Sequence, residues 1–151
     1  MISHEYLFCI LHEYGFSTQF ITYIKNIYND ASSQIHINGH ASEAIQIRRG
    51  VWQGYPLSMI VFTLCLNALV WRLERDLQGI DIAGKAKTAV VAYADDLTIF
   101  LTDPREIPKL EESLQWYARA SGATLNVKKS KAMALGTCVY ASHTRRPSRN
   151  V

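Results

Sequence analysis

Residues 59–71 are apolar at every position except Thr63 and Asn67. A helix that is greasy nearly all round has to be covered on most sides, so the rest of the chain must wrap this stretch. Pro56 suits a first helical turn and Gly79 a stop, which predicts a helix over residues 56–78. Thr63 and Asn67 share one face of it. Buried polar groups of that kind must be hydrogen-bonded or face something polar. The apolar run is shorter than the ~20 residues that span a bilayer. No basic-then-apolar leader opens the chain. The expectation is a soluble intracellular protein, nuclear or cytoplasmic, not secreted and without a membrane partner.

Ahead of that helix the pattern is helical, then alternating. Ser3 and Ser17 are placed as N-caps, with Ile2/Leu7 and Phe16/Ile21 as hydrophobic staples. They predict helices over 4–14, stopped by Gly15, and from Ser17 to Asn29-Asp30. Phe20, Ile21, Ile24, Ile27 and Tyr28 form the apolar face of the second. His4 and His12 read as surface or cap residues rather than ligands. Ile35 and Ile37, then Ile45 and Ile47, alternate with polar residues around Asn38-Gly39, the pattern of a half-solvated antiparallel pair. Beyond the central helix, Pro108 sets the expected start of another. Its stripe is Leu110, Leu114, Tyr117 and Ala118, and Gly122 is its stop. A short strand is expected at 132–135.

The three cysteines, Cys9, Cys65 and Cys138, are scattered and odd in number, which supports neither a disulfide framework nor a thiolate zinc site. They read as small apolar core residues. Charge comes in blocks: residues 76–112 carry eight acidic and four basic side chains, and 113–138 four basic and no acidic. Basic blocks suit phosphates and an acidic block suits metal ions; the same blocks also suit a mixed solvated surface.

The acidic block holds the chemistry. Two β-branched, apolar runs, 88–94 and 97–102, flank Asp95-Asp96, which predicts a tight hairpin with the two aspartates at or next to its tip. Two adjacent like charges repel unless solvent or a cation screens them. Hard divalent cations with oxygen ligands suit such a pair. An incidental acidic turn on a small antiparallel-sheet domain is the bland alternative.

Tyr93-Ala94-Asp95-Asp96 resembles the YxDD box of reverse transcriptases. Residues 49–58 with Phe62 and Asn67 resemble the RGxxQGxPLSP…F…N block before it, and residues 122–130 the GLxxNxxKS block after it. Three blocks in order are similar to LINE-type (non-LTR) retrotransposon polymerases over roughly residues 1–136, leaving 137–151 as a disordered or basic tail. The resemblance implies an α+β fold, an antiparallel palm-like sheet covered on one face by helices. It implies an RNA-directed DNA polymerase working by two-metal nucleotidyl transfer with two Mg²⁺ or Mn²⁺ ions. An RNA template, a DNA primer and deoxynucleoside triphosphates would be its partners; oligomeric state stays open. On matched positions, Asp95 and Asp96 would be catalytic metal ligands, and Tyr93 would lie along the primer terminus and incoming nucleotide. Arg49 would meet phosphate. Gln53 and Gly54 would approach nucleotide or template. Lys129 would neutralise or protonate the pyrophosphate leaving group, or pair with template phosphate.

The chain also departs from the pattern. Trp52 stands where relatives often carry a basic residue, Tyr55 where they carry a small or acidic one, and Met59 where they carry proline. Trp52 and Tyr55 either stack on a base or are drift. A third aspartate, on a strand ahead of the first helix, is expected to complete the metal site, and fingers and thumb are likewise expected outside this chain. The expectation is therefore a palm fragment with at most trace activity alone and marginal stability. The alternative is a non-catalytic remnant acting as a nucleic-acid or protein-binding module. Aspartates placed on an open face, away from Gln53-Gly54, would count against the polymerase reading.

Overall fold

The computed structural model describes residues 2–29, 31–47, 49–50, 56–82, 84 and 87–135. Its helices are α1 (His4–Glu13), α2 (Thr18–Asn29), α3 (Pro56–Asp76) and α4 (Ile107–Ser121), the last preceded by a 3-10 turn, Pro104–Glu106. Among the described residues, eight short strands form antiparallel pairs. β1 (Ser32–Ser33) pairs with β4 (Ile45–Gln46), and β2 (His36–Ile37) with β3 (His40–Ala41). β5 (Ile80–Asp81) pairs with β6 (Lys87–Thr88), and β7 (Val90–Tyr93) with β8 (Asp96–Ile99). The class is mixed helix and small antiparallel sheets. The single helix-covered sheet of the expected fold class is not formed among the described residues, where each ribbon stays two-stranded.

Several local signals produced the elements they promised. The Ser3 hydroxyl accepts from the Tyr6 amide at 3.3 Å and the Ser17 hydroxyl from the Phe20 amide at 3.3 Å. Both N-caps therefore form, and Ile2 and Leu7 are both buried. Phe16 stacks on Phe20, with ring centroids 5.1 Å apart. Asn38 and Gly39 turn the β2–β3 ribbon with φ of 51° and 80°. Gly122 caps α4 at φ 72°.

Two apolar clusters meet along α3. Val61 and Cys65 join Leu7, Leu11, Ile21, Ile24 and Tyr28 of α1 and α2. Leu66, Leu69, Leu73 and Leu77 join Tyr117 of α4 with Ala89 and Val90 at the β7 end. Tyr6 touches both clusters. Its ring meets Tyr117 edge-on at 5.8 Å and its hydroxyl donates to the Cys65 carbonyl at 3.3 Å. Burial raises its pKa and pushes Tyr117 up to about 12.

The expectation that α3 is covered on most sides is corrected. Met59, Ile60 and Trp71 are 58–60% exposed. Thr63 also faces solvent, its hydroxyl donating to its own helix at the Met59 carbonyl, 2.8 Å. α1 and α4 cover one side of the helix; on the other, only the Tyr14 ring reaches Trp71 among the described aromatic contacts, centroids 5.7 Å apart, and Met59, Ile60 and Thr63 stay exposed. As a whole, residues 57–76 are long and apolar enough to cross a membrane by length and composition, though the apolar run alone fell short. Here the Val61–Cys65–Leu69–Leu73 line packs as a core stripe.

Other differences have local causes. Ile107 is helical (φ −53°, ψ −45°) although it precedes Pro108, because the 3-10 turn leads the chain into α4 one residue earlier. The most buried residues of α4 are Ser113, Tyr117 and Ser121, with Leu110 and Leu114 only partly covered. Ser113 faces α3, where its hydroxyl accepts from Arg72 Nε at 3.2 Å. The isoleucine face of the first ribbons is open, with Ile35, Ile37 and Ile45 at 55–65% exposure. No strand forms at 132–135. Cys65 is buried, its thiol pushed up to about 12 by desolvation, whereas Cys9 is exposed and is not a core residue. Cys138, Trp52, Tyr55 and the tail 137–151 lie outside the described residues.

Among the described residues, Gly79 is a glycine that the packing demands. Its φ is +64°, and a Cβ there would lie 2.6 Å from the backbone carbon of Thr88, where the ribbon crosses back over the end of α3.

Candidate active site at the acidic hairpin

β7 and β8 pair Val90 with Ile99, Val91 with Thr98, Ala92 with Leu97 and Tyr93 with Asp96. The turn is therefore Ala94-Asp95, and Asp96 opens the second strand rather than sitting in the turn. Ala94 takes φ 51°, a region that L residues seldom occupy. The Phe100 amide donates to the Ala89 carbonyl at 2.8 Å, extending the ladder toward the core.

Directly opposed residues share a face of an antiparallel pair, and neighbours along a strand alternate. Val90, Leu97 and Ile99 lie on the face packed against the α3–α4 cluster. Val91, Tyr93, Asp96 and Thr98 therefore form the other face, and all four are exposed, Tyr93 at 83%. Residues 88–94 looked like a fully apolar run, yet in structure one side is core and the other is open to solvent. The packed side anchors the hairpin; the open side presents Tyr93 beside Asp96, with Asp95 at the turn.

The exposed carboxylates of Asp95 and Asp96 have no hydrogen bond or ion pair among the described residues. Their oxygens are the donor type that a hard divalent cation takes. In number they fall short, since no cluster of three or more His, Cys, Asp or Glu forms among the described residues. The open-face placement is thus observed, while Gln53 and Gly54, against which it was to be judged, lie outside the described residues.

Arg49 is exposed and bridges antiparallel to Ser3 at the start of α1. Lys129 is exposed in a turn organised by Asn126, whose carbonyl accepts from the Lys129 and Ser130 amides at 3.0 Å each. Neither is joined to the hairpin tip by a hydrogen bond or ion pair among the described residues. Two open cavities of about 330 and 450 Å³ lie elsewhere, around Trp71, Arg72, Arg75 and Trp116 and around Arg72, Asp76, Lys109 and Glu112. There the Arg72 guanidinium stacks on Trp116 at 4.9 Å. Hydrogen bonding from Arg75 holds the Asp76 carboxyl below its usual range.

One residue was passed over in the sequence, and another, His4, was read only as a surface or cap residue. Glu106 is a buried carboxylate that ties together two backbone segments, at Gln78 and at Thr102-Asp103, and the spacing Asp103-x-x-Glu106 spells a capping box that would have flagged it. His4 is no mere surface cap: its Nε2 lies 3.1 Å from the Gly50 carbonyl. Nothing in the sequence marks that contact.

Comparison with known proteins decides the family. The model of the reverse transcriptase (RNA-dependent DNA polymerase) family matches residues 1–147. The chain belongs to the reverse transcriptase family. Among its relatives, this family member is 31% identical over 137 residues to the transposon TX1 uncharacterized 149 kDa protein of Xenopus laevis, covering 90% of the chain and 10% of that protein. It is 30% identical over 136 residues to a retrovirus-related Pol polyprotein from type-1 retrotransposable element R2 of Popillia japonica, covering 90% and 22%. The corresponding polyprotein from type-2 retrotransposable element R2DM of Drosophila melanogaster is 31% identical over 128 residues, covering 85% and 12%. These names agree with the LINE-type, non-LTR character of the three motif blocks. This reverse transcriptase chain spans between a tenth and about a fifth of the length of those relatives.

Proposed function

We propose that the chain is the palm-like portion of an RNA-directed DNA polymerase, spanning residues 1–136 with a basic tail at 137–151, and that it acts by two-metal nucleotidyl transfer inside the cell, in the nucleus or cytoplasm. The observation that supports this reading is the hairpin. Its packed face fixes it to the core, and its open face offers Tyr93 and Asp96 side by side with Asp95 at the turn.

In this reading Asp95 and Asp96 hold Mg²⁺ or Mn²⁺. When bound, such ions polarise phosphoryl oxygens and lower the pKa of a hydroxyl nucleophile. The protein's own work is placement. Tyr93 offers a flat ring along the primer terminus and the incoming deoxynucleoside triphosphate. Arg49, Gln53 and Gly54 contact phosphate, nucleotide or RNA template, and Lys129 meets pyrophosphate or template phosphate. Because the described residues supply two carboxylates and no third partner, the 151-residue chain by itself supports at most trace synthesis.

A second reading, a non-catalytic nucleic-acid-binding module, is favoured by that same shortfall of donors. Mn²⁺ titration followed by electron paramagnetic resonance separates the two. Weak binding that disappears in Asp95→Asn and Asp96→Asn supports the metal site. No Mn²⁺ binding, together with salt-sensitive RNA binding, supports the module. Substantial Mg²⁺-dependent primer extension on an RNA template by the chain alone would overturn the claim of incompleteness.

A further inference from the structure

The segment that carries Arg49 is held by the start of α1. The Gly50 amide donates to the Ile2 carbonyl at 2.8 Å, Arg49 bridges to Ser3, and the Gly50 carbonyl lies 3.1 Å from His4 Nε2. Ile2 is 4% exposed, so the backbone end of this clamp is fixed in the core. The imidazole is fixed as well. Its ring packs 5.0 Å from the buried Tyr28 ring and 6.4 Å from Phe8. Gly50 takes φ 91°, a conformation that leaves its carbonyl direction undetermined by sterics alone. An imidazole N–H aimed at that carbonyl determines it. Arg49, one residue earlier, is exposed, and no ion pair among the described residues engages it.

We infer that His4 is a positioning residue: by donating from Nε2 to the Gly50 carbonyl it pins Gly50, the residue after Arg49, beside the start of α1, and so aims the free Arg49 guanidinium at a nucleic-acid phosphate. This rests on the proposed phosphate contact of Arg49. It adds a residue on another element that sets the strength of that contact without touching the ligand.

The test is a double-mutant cycle on the full chain. The probe is a short fluorescein-labelled single-stranded oligoribonucleotide, and affinity is measured across a range of salt. Arg49→Gln weakens binding and flattens the salt slope by about 0.7, the value for one phosphate contact on a single strand. His4→Ala flattens the slope by the same amount, although it removes no cation from the interface. The double variant binds no more weakly than Arg49→Gln alone. His4→Gln, which keeps an N–H donor at similar reach, restores both slope and affinity in part. Circular dichroism melts of each variant separate folding from binding. If His4→Ala only lowers the folded fraction, the salt slope stays at its original value and the inference is overturned while the Arg49 contact stands. If Arg49→Gln itself leaves the slope unchanged, the phosphate contact falls and the inference falls with it.

Discussion

The β7–β8 hairpin has acidic groups at both ends, and the fold treats them in opposite ways. Beyond the open end, Glu106 is 4% exposed. Its carboxylate accepts from the Gln78 amide at 2.7 Å, the Thr102 amide at 3.0 Å, the Thr102 hydroxyl at 3.2 Å and the Asp103 amide at 3.2 Å. At the tip, Asp95 and Asp96 are exposed and accept from nothing among the described residues. One carboxylate is consumed in holding the exits of α3 and β8 against the start of α4. The other two are left with their lone pairs free. A fully satisfied acid is structure; an unsatisfied pair on an anchored scaffold is available to a ligand.

The comparison breaks most visibly at Glu106. Glu106→Ala strands three part-buried backbone donors, the Gln78 amide on one segment and the adjacent Thr102 and Asp103 amides on another. The expected loss is roughly 3 kcal/mol, from the cost of leaving part-buried donors unpaired and of removing bonds to a charged acceptor. Urea unfolding should show the midpoint falling sharply. An unchanged midpoint would mean that water replaces the carboxylate without penalty, and the contrast between the two ends would vanish.

Acid sharpens the same contrast. Burial by itself raises the Glu106 pKa, but the donors of Gln78, Asp103 and Thr102 outweigh it and hold the group below its usual range. A carboxylate whose folded pKa is depressed contributes stability above its unfolded value of ~4.3, and that contribution drains away as pH falls through the lower folded value. Thermal melts should therefore show steepening loss below about pH 4, where Asp103, lowered by hydrogen bonding from Arg105, adds to it. Glu106→Gln should melt lower at neutral pH and lose less on acidification. Equal acid sensitivity of the variant and the parent would remove Glu106 from the account.

The two ends were not equally legible. The tip could be read because everything that makes it is local: β-branched runs, a short turn and a three-block resemblance. The caps at Ser3 and Ser17, the hairpin turn at Asn38-Gly39 and the stop at Gly122 were readable for the same reason. What depended on distant partners was not. The apolarity of α3 promised burial all round, but hydropathy does not say whether enough chain is at hand to cover a helix, and Trp71 stays at 59% exposure. Alternation in the isoleucine ribbons promised a buried face, and none of the described elements closes over it. Glu106 looked like one more charge in an acidic block. Its capping-box spacing was local and readable, but its bond to Gln78, 28 residues away, was not. For the candidate site, the sequence could name Asp95, Asp96 and Tyr93, and the register then put Tyr93 and Asp96 on one face. It could not reveal that His4 reaches Gly50 across 46 positions.

The smallest effect belongs to the tip. Asp95→Asn and Asp96→Asn each remove a charge that has no partner and sits next to another of the same sign, so folding loses no attraction and sheds some repulsion. Surface substitutions of this kind move stability little. The expected change in melting temperature is within about 2 °C, upward if anything, for a domain of this size. Far-UV circular dichroism melts at low salt give the test, because screening erases the gain at high salt. A clear destabilisation by either variant would show that these carboxylates hold the hairpin as Glu106 holds its loop, and the claim that the tip is kept free for a ligand would fail on stability grounds before any metal was added.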